Sequence, residues 1–371
     1  MVWLARWAKP LARLRLCRYE EWQQGQPVKL LLVGYNGARN TGADARVVAL
    51  TPTFAEALCV FFCEAAGIMR RQGKPCLAYG SEVGRLGGWL ARLSSDLCRD
   101  TYFMVRTEES LRNLQALGLK GHVGTDTAWT FQTSEGVAWA RQHLMEAGWD
   151  GRKPLMGVAP LNPFCWPVRP SLWRWLKAQA TRDFTRQYDK LYFFADSPER
   201  RRQFSHYLSA MTAAVNRYSH AHDAFVVVLG MEQLDSRVCQ QMAQQLEVPH
   251  AVCTSKTCDV FQMTGLLRQL SVLLTSRYHA SVLSMEHGCS IVAVSIDARL
   301  TGIMGETGLD RHYLHQATDA DLEQRLHLSL QQASEHADAI GEAISRQLVE
   351  YKKKTYDMSQ FFASWLKEQF S

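Results

Sequence analysis

Residues 272–295 read VLLTSRYHASVLSMEHGCSIVAVS. Val272–Thr275 and Ile291–Ser295 are short apolar runs, and the segment 279–287 between them has helical character. A strand, a helix and another strand in such close succession predict a parallel, doubly wound sheet. The same alternation continues upstream. Leu155–Ala159, Leu191–Phe194 and Ala224–Leu229 read as strands, separated by helices over 171–188, 199–216 and 233–246. A separate series precedes it: strands at Lys29–Val33, Pro75–Tyr79 and Tyr102–Val105, a short strand or turn at 123–128, and helices beginning near Asp44 and over 54–72, 107–117 and 134–150. Breakers and charges at Asp150-Gly151-Arg152-Lys153-Pro154 mark the boundary between the two series.

The expected architecture is therefore α/β, with two Rossmann-like domains facing one another across a cleft. Residues 28–150 form the first domain and 151–318 the second. Helices over 319–371 cross back toward the first, and a basic segment, 1–27, precedes both. The chain of 371 residues is long enough for two domains. With 47% hydrophobic and 21% charged residues it is globular in composition, which excludes general disorder and collagen-like repeats. The formal net charge of +6 suits an anionic substrate or membrane surface, and is too small to argue for nucleic acid.

The ten cysteines show no CxxC spacing, and the histidines no HxxxH or HExxH pattern, so no metal is predicted. Free thiols in a reducing cytosol are expected. Glu56 and Glu64 interrupt the longest apolar stretch, Phe54–Met69, which argues against a transmembrane helix. In the first eighteen residues Trp3, Leu4, Trp7, Leu11 and Leu14 share a helical face opposite Arg6, Lys9 and Arg13. Two readings suit that pattern equally: a helix lying on an anionic membrane, or one packed on the protein's own surface.

Ligands of parallel sheets sit beyond the carboxyl ends of the strands, and that rule picks out the candidate site residues. Ser276, Arg277 and His279 follow Thr275. Arginine can grip a phosphate or carboxylate with two hydrogen bonds, and histidine can move a proton near neutral pH. The glycine-rich turn 34–44 follows the first strand and contains Asn40, Gly42 and Asp44; its spacing is neither GxGxxG nor a Walker loop. Ser81 and Glu82 follow the strand ending at Tyr79. Asn162 and Arg169 bound a stiff loop, NPFCWPVRP, at the expected cleft rim, although packing against the interdomain hinge would explain the same residues.

At these residues the chain resembles the polysaccharide pyruvyl transferase family, from Lys29 to about Tyr313. The most specific block is TSRYHASVLSMEHGCSIVAVSIDARLTGIMGETGL, which is similar to the family's Ser-x-Arg-x-His motif, its helix and strand, and the Asp-x-basic element, here Asp297 and Arg299. Asn40-Thr41-Gly42-Ala43-Asp44 resembles the family's Gly-Asn-x-Gly-Asp turn, and Val123–Ala128 resembles the Asp-Pro-Ala stretch, with Asp126 at the acid position. The resemblance implies two Rossmann-like domains, similar to the two-domain glycosyltransferase layout. It also implies transfer of an enolpyruvyl group from phosphoenolpyruvate to a glycan or lipid-linked sugar, giving a pyruvate ketal. Arg277 would hold the donor and His279 would act as general acid, with no cofactor required.

The chain departs from the family in the short passage from Asp44 to Lys74, which suggests a deletion near Leu50-Thr51, and at Leu161-Asn162, where an arginine is usual. Two alternatives follow. One is a nucleotide-sugar-dependent glycosyltransferase, with Glu286 near the ribose or phosphate; the other is a non-catalytic member that binds a glycan or partner. The expected location is cytoplasmic, against the membrane if residues 1–18 dock there.

Overall fold

The computed structural model describes residues 52–370 apart from positions 167, 185, 190 and 297. The segment 1–18, the strand Lys29–Val33, the turn carrying Asn40, Gly42 and Asp44, the Leu50-Thr51 junction and Asp297 lie outside the described residues.

The first half runs α1 (Pro52–Arg71), β1 (Cys76–Ser81), α2 (Gly88–Leu97), β2 (Thr101–Val105), α3 (Glu108–Ala116) and β3 (Lys120–Val123), then a 3-10 turn (Thr127–Thr130) and α4 (Ser134–Glu146). Its described strands pair in parallel in the order β1-β2-β3. Local chemistry sets these boundaries. Thr107 accepts a hydrogen bond from the backbone N–H of Ser110 at 3.1 Å, while Glu108 and Glu109 complement the dipole in the first turn of α3.

The second half begins with β4 (Leu155–Ala159), followed by an insertion holding a 3-10 turn (Pro163–Cys165), β5 (Arg169–Pro170), α5 (Leu172–Thr181), β6 (Gln187–Asp189) and β7 (Tyr192–Phe193). There follow α6 (Pro198–His222), β8 (Phe225–Gly230), α7 (Ser236–Ala243), β9 (His250–Thr254), α8 (Val260–Leu267), β10 (Val272–Thr275), α9 (Tyr278–Met285) and β11 (Ser290–Ser295). The chain ends with α10 (Ala298–Glu306), α11 (Asp310–Tyr313), β12 (Leu314–Gln316), α12 (Leu322–Glu335) and α13 (Ala337–Phe370). Six parallel strands form the main sheet in the order β12-β11-β10-β4-β8-β9. Counted from β4, that is the Rossmann order, with the direction of progression reversing between β4 and β10.

The strand side chains alternate between two cores. Met156 and Val158 of β4 face one, and Leu155 and Ala159 the other. β8 and β10 are buried at every position, as central parallel strands covered on both faces must be.

Several expectations change. Leu191–Phe194 does not join the main sheet: only Tyr192–Phe193 is strand, and it pairs antiparallel with β5 and β6 in a small separate sheet. The main-sheet places go instead to β9 and to the three-residue β12, both too short or too polar to stand out by pattern. The helix expected over 171–188 stops at Thr181, where Arg182 turns left-handed at φ 53°. The helix expected over 199–216 continues to His222. Helix α4 lies before the 150 boundary, yet packs on α8 of the second half. A Cβ at Gly265 would sit 2.0 Å from the Gly136 carbonyl oxygen, so only glycine allows that approach.

Helix α13 ties the two halves together. Ile340, Ile344 and Tyr351 enter the second-half core, and Tyr351 stacks on Trp129 with ring centroids 4.3 Å apart. Further along, Phe361 stacks on Tyr102 of β2 at 5.0 Å, Tyr79 meets Ser359 at 3.3 Å, and Met358 fills the space beside Gly124. No helix among the described residues is long and apolar enough to cross a membrane. Met358 is 1% exposed, so Met358→Ala opens a cavity at this junction. A loss of about 2–5 kcal/mol in urea unfolding is expected; an unchanged midpoint would mean that α13 does not hold the halves together.

Candidate functional site

The reversal between β4 and β10 marks where open α/β sheets bind ligands, in the crevice beyond the carboxyl ends of the strands, and the loops there are firmly built. Ser276 N–H donates to the Ala159 carbonyl at 3.1 Å, extending the β4–β10 pairing by one residue. The Ser276 hydroxyl meets the buried Tyr207 hydroxyl at 2.8 Å, and Leu161 N–H donates to the same phenol oxygen at 3.4 Å. Thr275 Oγ1 accepts from Arg277 N–H at 2.8 Å, leaving Arg277 extended as the residue before α9. Because the backbone turns from extended to helical there, the Arg277 and His279 side chains leave in different directions and meet different partners.

Arg277 turns toward the carboxyl end of β8. Its Nη2 donates to Asp235 Oδ1 and lies 3.4 Å from Glu232 Oε2; Asp235 and Glu232 are both buried. Burial pushes the Asp235 carboxyl up, Arg277 opposes this and Glu232 adds to it, with the result raised to about 6. The same two carboxylates keep the guanidinium charged in spite of its burial. One cation thus faces two acids.

His279 turns toward the first half, where its Nε2 lies 3.4 Å from Asp126 Oδ2. On its other side Asp126 Oδ2 is 3.0 Å from Arg106 Nη1, while Asp126 Oδ1 accepts from Ala128 N–H at 2.9 Å. Arg106 Nε is fixed by the Gly80 carbonyl at 2.6 Å. Burial raises the Asp126 pKa, but the Arg106 charge and the nearby His279 imidazole outweigh it, holding the carboxyl well below the usual carboxylate range. Tyr278 lies edge-on to His279, and Arg299 sits over the Tyr278 ring at 5.7 Å. Arg299 Nε also reaches 3.9 Å from Glu82 Oε2 of the first half. Ends of β1, β2, β3, β10 and β11 therefore converge on one group of charges, and a histidine oriented by a buried carboxylate is a proton-transfer device.

Arg277 and Ser276 thus sit at the crevice with Asp235, while His279, Asp126, Glu82 and Arg299 form a neighbouring group across the two halves. Ser81 donates to the Met104 carbonyl at 3.4 Å beside that group. Asn162 caps the following 3-10 turn, its Oδ1 accepting from Phe164 N–H at 3.0 Å. Arg169 is exposed on β5. Glu286 stands apart, engaged by Arg268, by Gln132 and by Lys352, the last two at 2.9 Å. Sequence reasoning did not select Arg106, Glu232, Asp235 or Tyr207. Arg106 directly follows the strand Tyr102–Val105, so the strand-end rule that found Arg277 also points to it. Tyr207 lies mid-helix and carries no local signal.

No family model and no curated protein matches the sequence. Among solved structures, the chain is similar to HepE of Anabaena in complex with UDP-glucose: 12% identity, 84% of this chain and 77% of that one, TM-score 0.49. It is also similar to a glycosyltransferase of Rickettsia africae, with 10% identity, 85% and 82% coverage and a TM-score of 0.42. A third is a putative UDP-N-acetylglucosamine 2-epimerase of Listeria monocytogenes, with 12% identity, 83% and 76% coverage and a TM-score of 0.42. Identities this low leave the chemistry to this chain's own side chains.

Asp126→Asn leaves Arg106 without its anion. Losing one partner of a buried pair costs on the order of 3–5 kcal/mol near neutral pH. The folded carboxyl titrates below its ordinary value of 3.8, so its stabilisation is full above that value and lost as pH falls toward the folded pKa. The stability gap between wild type and variant, followed by urea unfolding, is expected to narrow below about pH 5. A gap independent of pH would show that the charge of Asp126 does no such work.

Proposed function

We propose that the protein is a transferase that moves a glycosyl group from a nucleotide-sugar donor to a hydroxyl of a glycan or lipid-linked sugar. The observation that carries this reading is the His279–Asp126 pair, set where the strand ends of both halves meet. His279 takes the proton of the acceptor hydroxyl as its oxygen bonds to the anomeric carbon. The bond from that carbon to the donor phosphate breaks, and the electron pair leaves with the phosphate. Asp126 orients the ring and stabilises the imidazolium that forms. The donor lies in the crevice between β4 and β10, its phosphates toward the N-terminus of α9. Glu232, at the end of the sheet's second strand, stands where Rossmann domains place an acid against a ribose hydroxyl. His279 is only 7% exposed, so turnover requires the two halves to part enough to admit the acceptor.

Enolpyruvyl transfer from phosphoenolpyruvate is the second reading. The placement of Ser276, Arg277 and His279 directly beyond β10 favours it, with His279 protonating the methylene carbon. Against it stands the engagement of Arg277: two buried carboxylates already hold that guanidinium, which is then not free to grip a phosphate and a carboxylate together.

Thermal shift with a panel of nucleotide sugars and with phosphoenolpyruvate separates the two. A ligand at a hundredfold excess over Kd stabilises by about 2.7 kcal/mol. A nucleotide sugar is expected to raise Tm and phosphoenolpyruvate to leave it unchanged, with His279→Ala lowering turnover about 10²–10⁴-fold. Stabilisation by phosphoenolpyruvate alone, with phosphate released on adding a glycoside, would replace the first reading by the second. Unchanged turnover in His279→Ala would remove both.

A further inference from the structure

The insertion between β4 and α6 carries a surface that neither core uses. In α5, LWRWLKAQAT, only Ala178 is fully buried, at 4% exposure, whereas Trp173 is 77%, Leu172 62% and Leu176 48% exposed. At about 100° per residue, Leu172, Leu176 and Trp173 occupy one outward arc of the helix, and Lys177 borders it. Phe184 and Leu191 of the same insertion are exposed as well, at 45% and 41%. Apolar side chains gathered outward in this way mark a contact surface, unlike singly scattered ones.

The charge around this surface is predominantly positive. Between Arg169 and Arg186 lie five basic residues and one acid, Asp183. Arg169, Arg174, Lys177, Arg182 and Arg186 are all exposed. Arg174 reaches the Phe194 carbonyl at 3.3 Å and Arg186 pairs with Asp196 at 2.5 Å, which holds both at the rim. This short span supplies most of the chain's net charge of +6.

We infer that α5 and its flanking strands dock on the surface of an anionic lipid bilayer, with Leu172, Trp173 and Leu176 entering the interface and the basic residues meeting the headgroups. Tryptophan and leucine bordered by lysine and arginine are the composition of an interfacial helix. A second copy of the chain fits less well, since self-association would bring two equally basic faces together. The insertion leaves the sheet at Pro160, directly beyond the carboxyl end of β4. Docking would therefore hold the crevice close to the membrane surface. The inference stands whichever donor the crevice takes.

The test is co-sedimentation of the full chain with vesicles of phosphatidylcholine, alone or mixed equally with phosphatidylglycerol. Binding to the mixed vesicles is expected, weakened by salt and reduced at least about tenfold in the double variant Trp173→Ser/Leu176→Ser. Lys177→Glu should weaken it as well, and Trp89→Ser, which alters an exposed tryptophan of α2, should not. All four substituted side chains are exposed, and unchanged circular dichroism checks that the variants fold. Wild type that stays in the supernatant, or a double variant that binds like wild type, would overturn the inference; the second result would place membrane contact elsewhere in the chain. Light scattering without lipid that shows a dimer dispersed by the double substitution would assign the surface to a second copy and overturn it too.

Discussion

A carboxylate removed from water must be compensated, and at Asp126 the compensation comes from opposite sides. Arg106, at the end of β2, supplies the charge; the N–H of Ala128 supplies a hydrogen bond; His279, from α9 of the other half, closes the third side. An uncompensated buried ion costs several kcal/mol, so this arrangement constrains the strand ends that deliver those groups. It also sets the His279 imidazole, beside the crevice, in a defined orientation. Stability and proton transfer here depend on the same three contacts.

The neighbouring network around Arg277 has the opposite balance. Glu232 and Asp235 come from the turn after β8, which lies two strands from β10 with β4 between them. The Rossmann order brings them together, and it leaves the guanidinium committed to two acids instead of open to solvent. With one cation against two acids, a site of this kind offers no surplus positive charge. It suits a ligand that offers hydroxyls as well as phosphates better than it suits a compact polyanion.

The insertion after β4 links these features to the outer surface. Its first turn, capped by Asn162, passes the crevice, and its helix α5 turns apolar side chains outward within a basic rim. The amphipathic face thus belongs to one excursion of the chain between neighbouring strands of the sheet.

Much of this architecture is legible in the sequence, because a buried parallel strand must be apolar at nearly every position. Val272–Thr275, Leu155–Ala159 and Ile291–Ser295 declare themselves in this way, and the residues just after them are the ones the strand-end rule selects. His279 was accessible by that route, whereas Asp126 and Arg299 entered through the family resemblance. Short or edge strands were not: His250–Thr254 is polar at both ends, Leu314–Gln316 has three residues, and Tyr192–Phe193 takes its place from an antiparallel pairing that no local pattern specifies. The partners of the candidate residues were equally hidden. Sequence proximity suggested that Arg277 and His279 act on one ligand together, but a helix beginning between them sends their side chains apart. Which acid meets which base is a property of strand order and helix entry, since a charge finds its partner through space and the sequence records only neighbours along the chain.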